Sequence, residues 1–569
     1  MKKNLLRRLL LTIAMCLTAT MTWADIAIDE AHFPDPGFRQ WMLHSSFGED
    51  GIITDAEIAE QWHFEIGNSD EWTVLSVKGL NYFPNLKELF LPPSVTTIDL
   101  SECPDLTELV LYSADDYQMT SIDLSPLPLL KRFICVGSHF TSLDLRNNPL
   151  LNDLFVWDSV NLTTMDISKC KNLVDVRCDN TALSSVDVSG CSKLERLHCF
   201  NCPNLTSINV TGCTELLNLT CYETPIANLD VSTCTKLAEF FCEKTNITRL
   251  DLTPNGDMHT LRCTECKLTE LILPNSLVWN IQCQDNPDLT TLTIHGNAEL
   301  GIVNFSNTKV QTVDLTSCKN LNTIVGWNTP LSSLDLTHCP ELASIDLAMT
   351  KLTTLDLSNC LKLDGVKVDN SQLTSLKLPD SGCNLHTLDC SNNQLSVLDL
   401  RGCEYLMSLD CHDNQLTSLL LDPHVYPQDY TEYKFELGAL SMYNNKLKGA
   451  AVDAIASKLL PREYETQFQF CDATNANEGN AMTPEQVAAF KAKNWFPTIQ
   501  QYLDPAHPSP DQLVWLDYAG EDPSGISLVK ETTDSDASYY SINGIQLTAP
   551  RNGVNIIKTA KGTRKVMVK

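Results

Sequence analysis

The chain has 569 residues, a formal net charge of −30, 43% hydrophobic and 20% charged residues. That balance belongs to a folded chain and excludes a disordered one, and the length exceeds what a single ordinary core encloses. The acidity argues against nucleic acid and anionic membrane surfaces as partners; it suits a soluble surface protein, a basic partner or bound cations.

Residues 1–24 read as a secretory signal. Lys2, Lys3, Arg7 and Arg8 supply the charged region, residues 9–17 the apolar region, and Thr22-Trp23-Ala24 a cleavage site before Asp25. The apolar run is too short to span a bilayer, and no later stretch is long or apolar enough to do so, so no membrane insertion is expected. Cys16 follows Met15, where a lipid-attachment signal needs a small residue, so a soluble signal is expected.

Residues 25–80 form an N-terminal capping module. Asp35-Pro36 starts a helix with Phe38, Trp41 and Met42 on one face. Asp50-Gly51-Ile52-Ile53-Thr54-Asp55-Ala56-Glu57 has the outline of a calcium loop, but Ser46 and Gly48 stand where its first two ligands belong. A capping box of Thr54 with Glu57 explains the same residues.

Residues 81–445 carry an internal repeat of about 21 residues, in roughly sixteen units. One series of Leu-x-Leu steps is centred on Asp99, Asp123, Asp144, Asp166, Asp187, Asn209, Asp230, Asp251 and onward to Leu420. A second, out-of-phase series runs Phe133-Ile134-Cys135, Val176-Arg177-Cys178, Leu197-His198-Cys199, up to Leu409-Asp410-Cys411. Each half-unit alternates inward apolar with outward residues, as a short strand does, and only stacking gives such units a core. Three residues past the Cys of the second series stands a small donor, among them Thr181, Cys202, Thr224, Asn286 and Asn445. A matching row in the first series includes Asn148, Cys170, Cys191, Cys213, Asn255 and Ser276, broken at Leu127. Stacked donors of this kind can satisfy backbone carbonyls buried on a neighbouring turn. The pattern resembles the bacterial leucine-rich-repeat family in its short nested form. The resemblance implies a mainly β leucine-rich-repeat solenoid with small helical or mixed caps and a C-terminal β module; it says little about function.

Residues 446–524 read as a C-terminal cap. Residues 450–460 have helical spacing, and Thr483-Pro484-Glu485-Gln486 opens a second helix with a capping box. The stretch beginning NKLKGAAVDAIASKLLP and ending MTPEQVAAFKAKNW resembles the flank found on secreted Bacteroidetes repeat proteins. Residues 525–569 follow an acidic linker (531–536) as a small β module: Tyr539-Tyr540-Ser541-Ile542-Asn543-Gly544, then Gly553-Val554-Asn555-Ile556-Ile557, then Arg564-Lys565-Val566-Met567-Val568-Lys569. This module resembles the sorting domain of the type IX secretion system. That resemblance implies handling by the secretion machinery and a secreted or outer-surface location on a Gram-negative cell; a terminal hairpin with no address value fits the same residues.

The 23 cysteines become an even number once Cys16 is removed, which invites disulfides in a secreted chain. The register argues instead for buried thiols. All but Cys383 and Cys471 of the remainder fall in inward strand positions or donor rows, where neighbours in a row meet in poor disulfide geometry. The CxxC pairs Cys199/Cys202 and Cys263/Cys266 follow from the period, so no metal is expected.

The outward positions of the Leu-x-Leu series are mostly Asp, expected to be solvated. Those of the other series vary and include Phe155, Trp157, His198, Phe200, Tyr222, Phe241, Trp327 and Tyr443. Aromatics presented on a strand face mark a recognition surface, and the residues from Phe155 to Phe241, with Trp327, are the candidate ligand-binding set. No nucleophile elbow, phosphate loop, paired-carboxylate motif or zinc helix stands out, and His198, His386 and His412 read as surface residues, so no catalytic residue and no cofactor is assigned. The functional expectation is a non-catalytic surface protein gripping a protein ligand in the manner of an adhesin. Two alternatives are a carbohydrate binder stacking Trp157, Phe200, Tyr222 and Trp327 on sugar rings, and a structural surface-layer component.

Overall fold

The computed structural model describes residues 25–112, 119–275, 278–294, 296–422, 437–502, 508 and 513–521, and beyond these the backbone of five further strands. The expected signal (1–24), Ser276, the linker 531–536, Ile542, Asn543, Gly544 and Lys569 lie outside the described residues. The chain divides after Lys267 into two units. Both are built as a mainly β leucine-rich-repeat solenoid, of about 17 turns in all.

In the first unit, helices Pro36–Leu43 and Asp55–Glu60 and a short antiparallel pair, Ile26–Ala27 with Ile52–Ile53, precede the repeats. Asp35 caps the first helix through Phe38 N at 2.7 Å and also accepts from Leu75 N and Ser76 N, pinning the helix to the chain that follows. Thr54 and Glu57 form a reciprocal capping box on the second helix. Phe33, Phe38, Phe64 and Phe83 are fully buried around this region. The strand His63–Glu65 pairs in parallel with Glu88–Leu91, so these residues begin the repeat ladder as well as cover it.

The ladder continues in register through Glu108–Leu111, Arg132–Cys135, Asp153–Phe155, Asp175–Arg177, Arg196–His198, Asn218–Thr220, Glu239–Phe241 and Thr260–Arg262. In the second unit it runs from Asn280–Gln282 through Ala439–Ser441, takes in Thr466–Asp472 and Trp495–Tyr502, and closes on antiparallel Leu513–Asp517. The Leu-x-Leu half-units pair only in short runs, such as Ser142–Asp144 with Thr164–Asp166 and Thr354–Asp356 with Ser375–Lys377. The two half-units are thus unequal. The Cys-containing series makes the main sheet, and the Asp-containing series makes a chain of turns. Beyond the repeats stand helices Ala450–Lys458 and Pro484–Lys491, the latter with a Thr483–Gln486 capping box. The C-terminal strands Ser527–Leu528, Gly562–Val568, Gly553–Thr559, Ser538–Ser541 and Gln546–Leu547 lie side by side in that order in one sheet.

The interior is a stack of Leu, Ile, Val and Cys side chains, one set per turn, and the cysteines from Cys103 to Cys471 are buried. Each fully buried leucine contributes roughly 1.5–3 kcal/mol, and no turn has enough of them to stand alone. Several Asn and Cys reach the preceding turn: Asn255 Nδ2 donates to Val231 O at 3.0 Å and Cys234 O at 2.8 Å, and Cys213 Sγ to Val188 O at 3.2 Å, whereas Asn286 and Asn297 also donate within their own turn, to Cys283 O and Ile294 O. Where Leu127 breaks the row, Asn148 on the next turn donates to both Leu124 O and Leu127 O. The threonines depart from the expected cross-turn role. Thr181, Thr224 and Thr245 donate to the carbonyl three residues back in their own turn. Immediately before each of these donors the backbone is left-handed, at Asp158, Asn180, Asn201, Glu223, Lys244 and Glu265 in the first unit, with φ between 52° and 59°. Asn and Asp tolerate that region best, and the turn imposes it on the others.

The Asp row is more than solvated charge. Each carboxylate accepts the backbone N–H two residues on, as in Ser168 N to Asp166 at 3.0 Å, Ser189 N to Asp187 at 2.9 Å and Thr337 N to Asp335 at 3.0 Å. The row is a column of Asx turns that bends the chain at most repeats.

Candidate functional site

In the first unit, the residues flanking each buried strand centre face away from the core, and the register sorts them into rows. One row holds Phe155, Arg177, His198, Thr220, Phe241 and Arg262. The row before it holds Asp153, Asp175, Arg196, Asn218 and Glu239. The ladder extends two residues past the strands, through Asp158 N to Asp179 O, Asn180 N to Phe200 O, Asn201 N to Tyr222 O and Glu223 N to Glu243 O, all at 2.9–3.0 Å. This aligns a third row of Trp157, Asp179, Phe200, Tyr222 and Glu243.

The six candidates from Phe155 to Phe241 therefore share one face, in two of its three rows. Trp327 belongs to the second unit. Tyr443, also in the second unit, stacks on His412 with ring centroids 4.5 Å apart and meets Trp515 at 5.2 Å.

The aromatics pack against their neighbours. All six side chains, and Trp327, are half-buried by neighbours on the same face. Phe155 lies 5.8 Å from Trp157, with the Arg177 guanidinium 5.3 Å and that of Arg132 6.0 Å from its ring centroid. Phe241 carries Arg262 at 5.3 Å. Phe200 and Tyr222 stack on each other, centroids 4.5 Å apart and planes inclined by 15°. Such contacts hold rings in one orientation before any ligand arrives.

The charged row is a network of its own. Asp175, only 3% exposed, is paired with Arg196 at 2.8 Å and Arg177 at 3.6 Å. Arg132 pairs with Glu108 at 3.2 Å, and Asn218 donates to Glu239 at 2.6 Å. Burial, with Arg177 adding to it, lowers the pKa of His198 and favours its neutral form. Burial raises Asp153, Asp179 and Glu243 above the ordinary carboxylate range. Burial, then the charges of Glu223, Asp179 and Glu243, raises Tyr222. The arrangement brings aromatic faces, guanidinium groups and partly desolvated carboxylates together on one face.

Sequence reasoning missed the charged half of this face. Arg177, Asp179, Glu243 and Arg262 share the period of the aromatics and could have been found by reading every outward position. In the second unit, His412 is not a plain surface residue. It pairs with Asp410 and lies 3.5 Å from Asp413. Burial opposes its charge, but those carboxylates with Asp389 outweigh it and raise its pKa. Among the described residues no cluster of His, Cys, Asp and Glu is arranged to hold a metal ion, and no helix is long and apolar enough to cross a membrane.

No protein-family model and no curated protein matches the chain. Among solved structures, the functional domain of InlJ from Listeria monocytogenes, which includes a cysteine ladder, is similar over 96% of this chain and 100% of its own, at 19% identity and a TM-score of 0.39. A leucine-rich-repeat protein of Leptospira interrogans is similar over 71% of this chain and 95% of its own (18% identity, TM-score 0.40). YopM from Yersinia enterocolitica is similar over 65% of this chain and 83% of its own (19% identity, TM-score 0.40).

Proposed function

We propose that this chain is a non-catalytic, secreted or cell-surface binding protein that recognises a protein ligand through the main-sheet face of its first unit. One observation carries the reading: Phe155, Trp157, His198, Phe200, Tyr222 and Phe241 converge on one face, interleaved with Arg177, Arg262, Asp179 and Glu243. Orientation-locked aromatics beside half-desolvated charges suit a polypeptide partner, which offers both apolar and ionic groups. The same contacts disfavour a glycan. A sugar ring stacks on an open aromatic face, yet guanidinium groups lie over Phe155 and Phe241, and Phe200 and Tyr222 cover each other on one side.

The test is capture of purified host-matrix proteins and of an array of glycans by the full chain and by a Trp157→Ala/Tyr222→Ala variant. The expected result is a protein ligand whose affinity falls at least tenfold in the variant, while the circular-dichroism melt shifts by a few degrees. Equal affinity of the two forms discards the face, and binding to glycans alone favours the carbohydrate reading. The secretion part of the proposal rests on the signal-like residues 1–24 and the sorting-like residues 525–569. Deleting 525–569 should leave the protein in the periplasm; undiminished export refutes that role.

A further inference from the structure

The third row of the first unit is symmetric about its aromatic pair. Along successive turns it reads Asp179, Phe200, Tyr222, Glu243: a stacked aromatic pair with a carboxylate at each end. Neither carboxylate is held in an ion pair among the described residues. Asp179 is 8% exposed, and among the described residues it makes no ion pair and no hydrogen bond beyond its own backbone. Glu243 makes no ion pair either, and its Oε2 is buried with no hydrogen-bond partner. The cations nearby are engaged elsewhere. Arg177 is drawn to Phe155 and Asp175, Arg262 lies over Phe241, and Lys244 pairs with Glu223 at 2.7 Å. Arg177 near Asp179, and Arg262 and Lys244 near Glu243, offset the cost of desolvation only in part, so both carboxylates gain from a cation brought by a ligand. Burial raises the pKa of both, in line with that geometry.

We infer that this row is a subsite for an extended segment of the partner that carries two basic side chains, one for Asp179 and one for Glu243, with an apolar side chain between them on the Phe200–Tyr222 pair. The spacing follows from strand geometry. Three turn-to-turn steps of about 4.8 Å separate the two carboxylate positions by roughly 14 Å, and four residues of an extended chain at about 3.4 Å each span nearly the same distance. Alternation then turns residues i, i+2 and i+4 toward the face. The recognised pattern is basic-x-apolar-x-basic, lying across the strands. The net charge of −30 adds long-range attraction for such a segment. This inference rests on the binding reading above and names the chemistry of its ligand.

The test uses the full chain and fluorescein-labelled peptides containing Arg-Gly-Phe-Gly-Arg, Arg-Gly-Phe-Arg or Glu-Gly-Phe-Gly-Glu, titrated by fluorescence anisotropy. The first peptide is expected to bind at least fivefold more tightly than the second, and the acidic peptide not at all. An Asp179→Asn/Glu243→Gln variant, isosteric and relieved of two desolvated charges, should melt no lower than the parent and lose at least tenfold in affinity for the first peptide. Equal binding of the first two peptides, equal affinity of variant and parent, or no binding of the first peptide up to millimolar concentration overturns the subsite. If the variant still captures the protein ligand at full strength while Trp157→Ala/Tyr222→Ala does not, the binding face stands and only the basic pattern falls. If neither variant weakens capture, both readings fall.

Discussion

Asn255 shows what a turn asks of one side chain. It is fully buried, donates twice across to the preceding turn, and leaves its own Oδ1 without a partner, as Asn148 does. A cysteine at the same register position donates once and brings no strong acceptor that must be satisfied, which is a physical reason for Cys to recur in this row. Replacing Asn255 with Leu strands two buried carbonyls and should cost about 2–4 kcal/mol, whereas Asn255→Cys keeps one donor and should cost less than half of that. Urea midpoints of the two variants measure the difference, and equal losses would show that packing, and not donation, sets the choice. Periodicity made these donors legible in the sequence, but not their targets. Thr and Cys occupy equivalent positions, yet the shorter Thr181 side chain reaches Cys178 O in its own turn while Cys202 Sγ reaches back to that same carbonyl from the next.

At the scale of elements, the sequence made the half-units, their period and the helix starts readable, because alternation, Asp35-Pro36, Thr54/Glu57 and Thr483/Gln486 are local signals. It did not distinguish the two half-units, since both alternate alike. The difference lies in pairing: the Cys-containing strands run as a ladder while the Leu-x-Leu strands pair only in short runs, although Asp346, Asp389 and Asp410 of the main sheet accept the N–H two residues on just as Asp166 and Asp187 do. The candidate face was half legible for a similar reason. Aromatics stand out by composition, but the guanidinium groups lying over Phe155 and Phe241 depend on cross-strand register. The N-terminal helix depends on one group above others. The Asp35 carboxylate, buried, holds Phe38 N, Leu75 N and Ser76 N together. Asp35→Ala should cost about 2–4 kcal/mol through loss of the cap and of satisfied buried donors. The loss should appear as early hydrogen exchange confined to the region around Pro36–Leu43 and residues 74–76. Uniform exchange along the chain would contradict a local role.

For the molecule as a whole, carboxylates fall into two opposing classes. Hydrogen bonds from the side chain two residues on lower the pKa of Asp99, Asp166, Asp230, Asp251, Asp335 and Asp356, and Arg146 lowers Asp144 to about 2. Their stabilisation is complete above the unfolded carboxylate pKa and is lost as pH falls through the lowered folded values. Burial raises Asp153, Asp179, Glu243, Asp389 and Glu478. For these the folded state takes up protons before the unfolded one, so acidification through the raised values adds stability, and relief of the net charge of −30 acts in the same direction. Resistance to urea should therefore rise on mild acidification from pH 7, peak somewhat above the ordinary carboxylate pKa of about 4, and fall below it. A steady decline from pH 7 downward would mean that the Asx-turn carboxylates outweigh the buried ones throughout.

The thiol column has a consequence for how the chain lives and fails. Burial pushes Cys170, Cys213 and Cys339 up to about 12, so at neutral pH these sulfurs are neither ionised nor reachable, and Cys266, lowered to about 7 by its hydrogen bond with Cys242, is kept from solvent by burial alone. Once the turns come apart, that protection vanishes at many positions at once, and any oxidant finds a flexible chain dense in competent nucleophiles. Denaturation without a reductant then becomes a one-way passage into scrambled cross-links. The order of winding and oxidation, more than the final energy, decides whether the native coil is recovered.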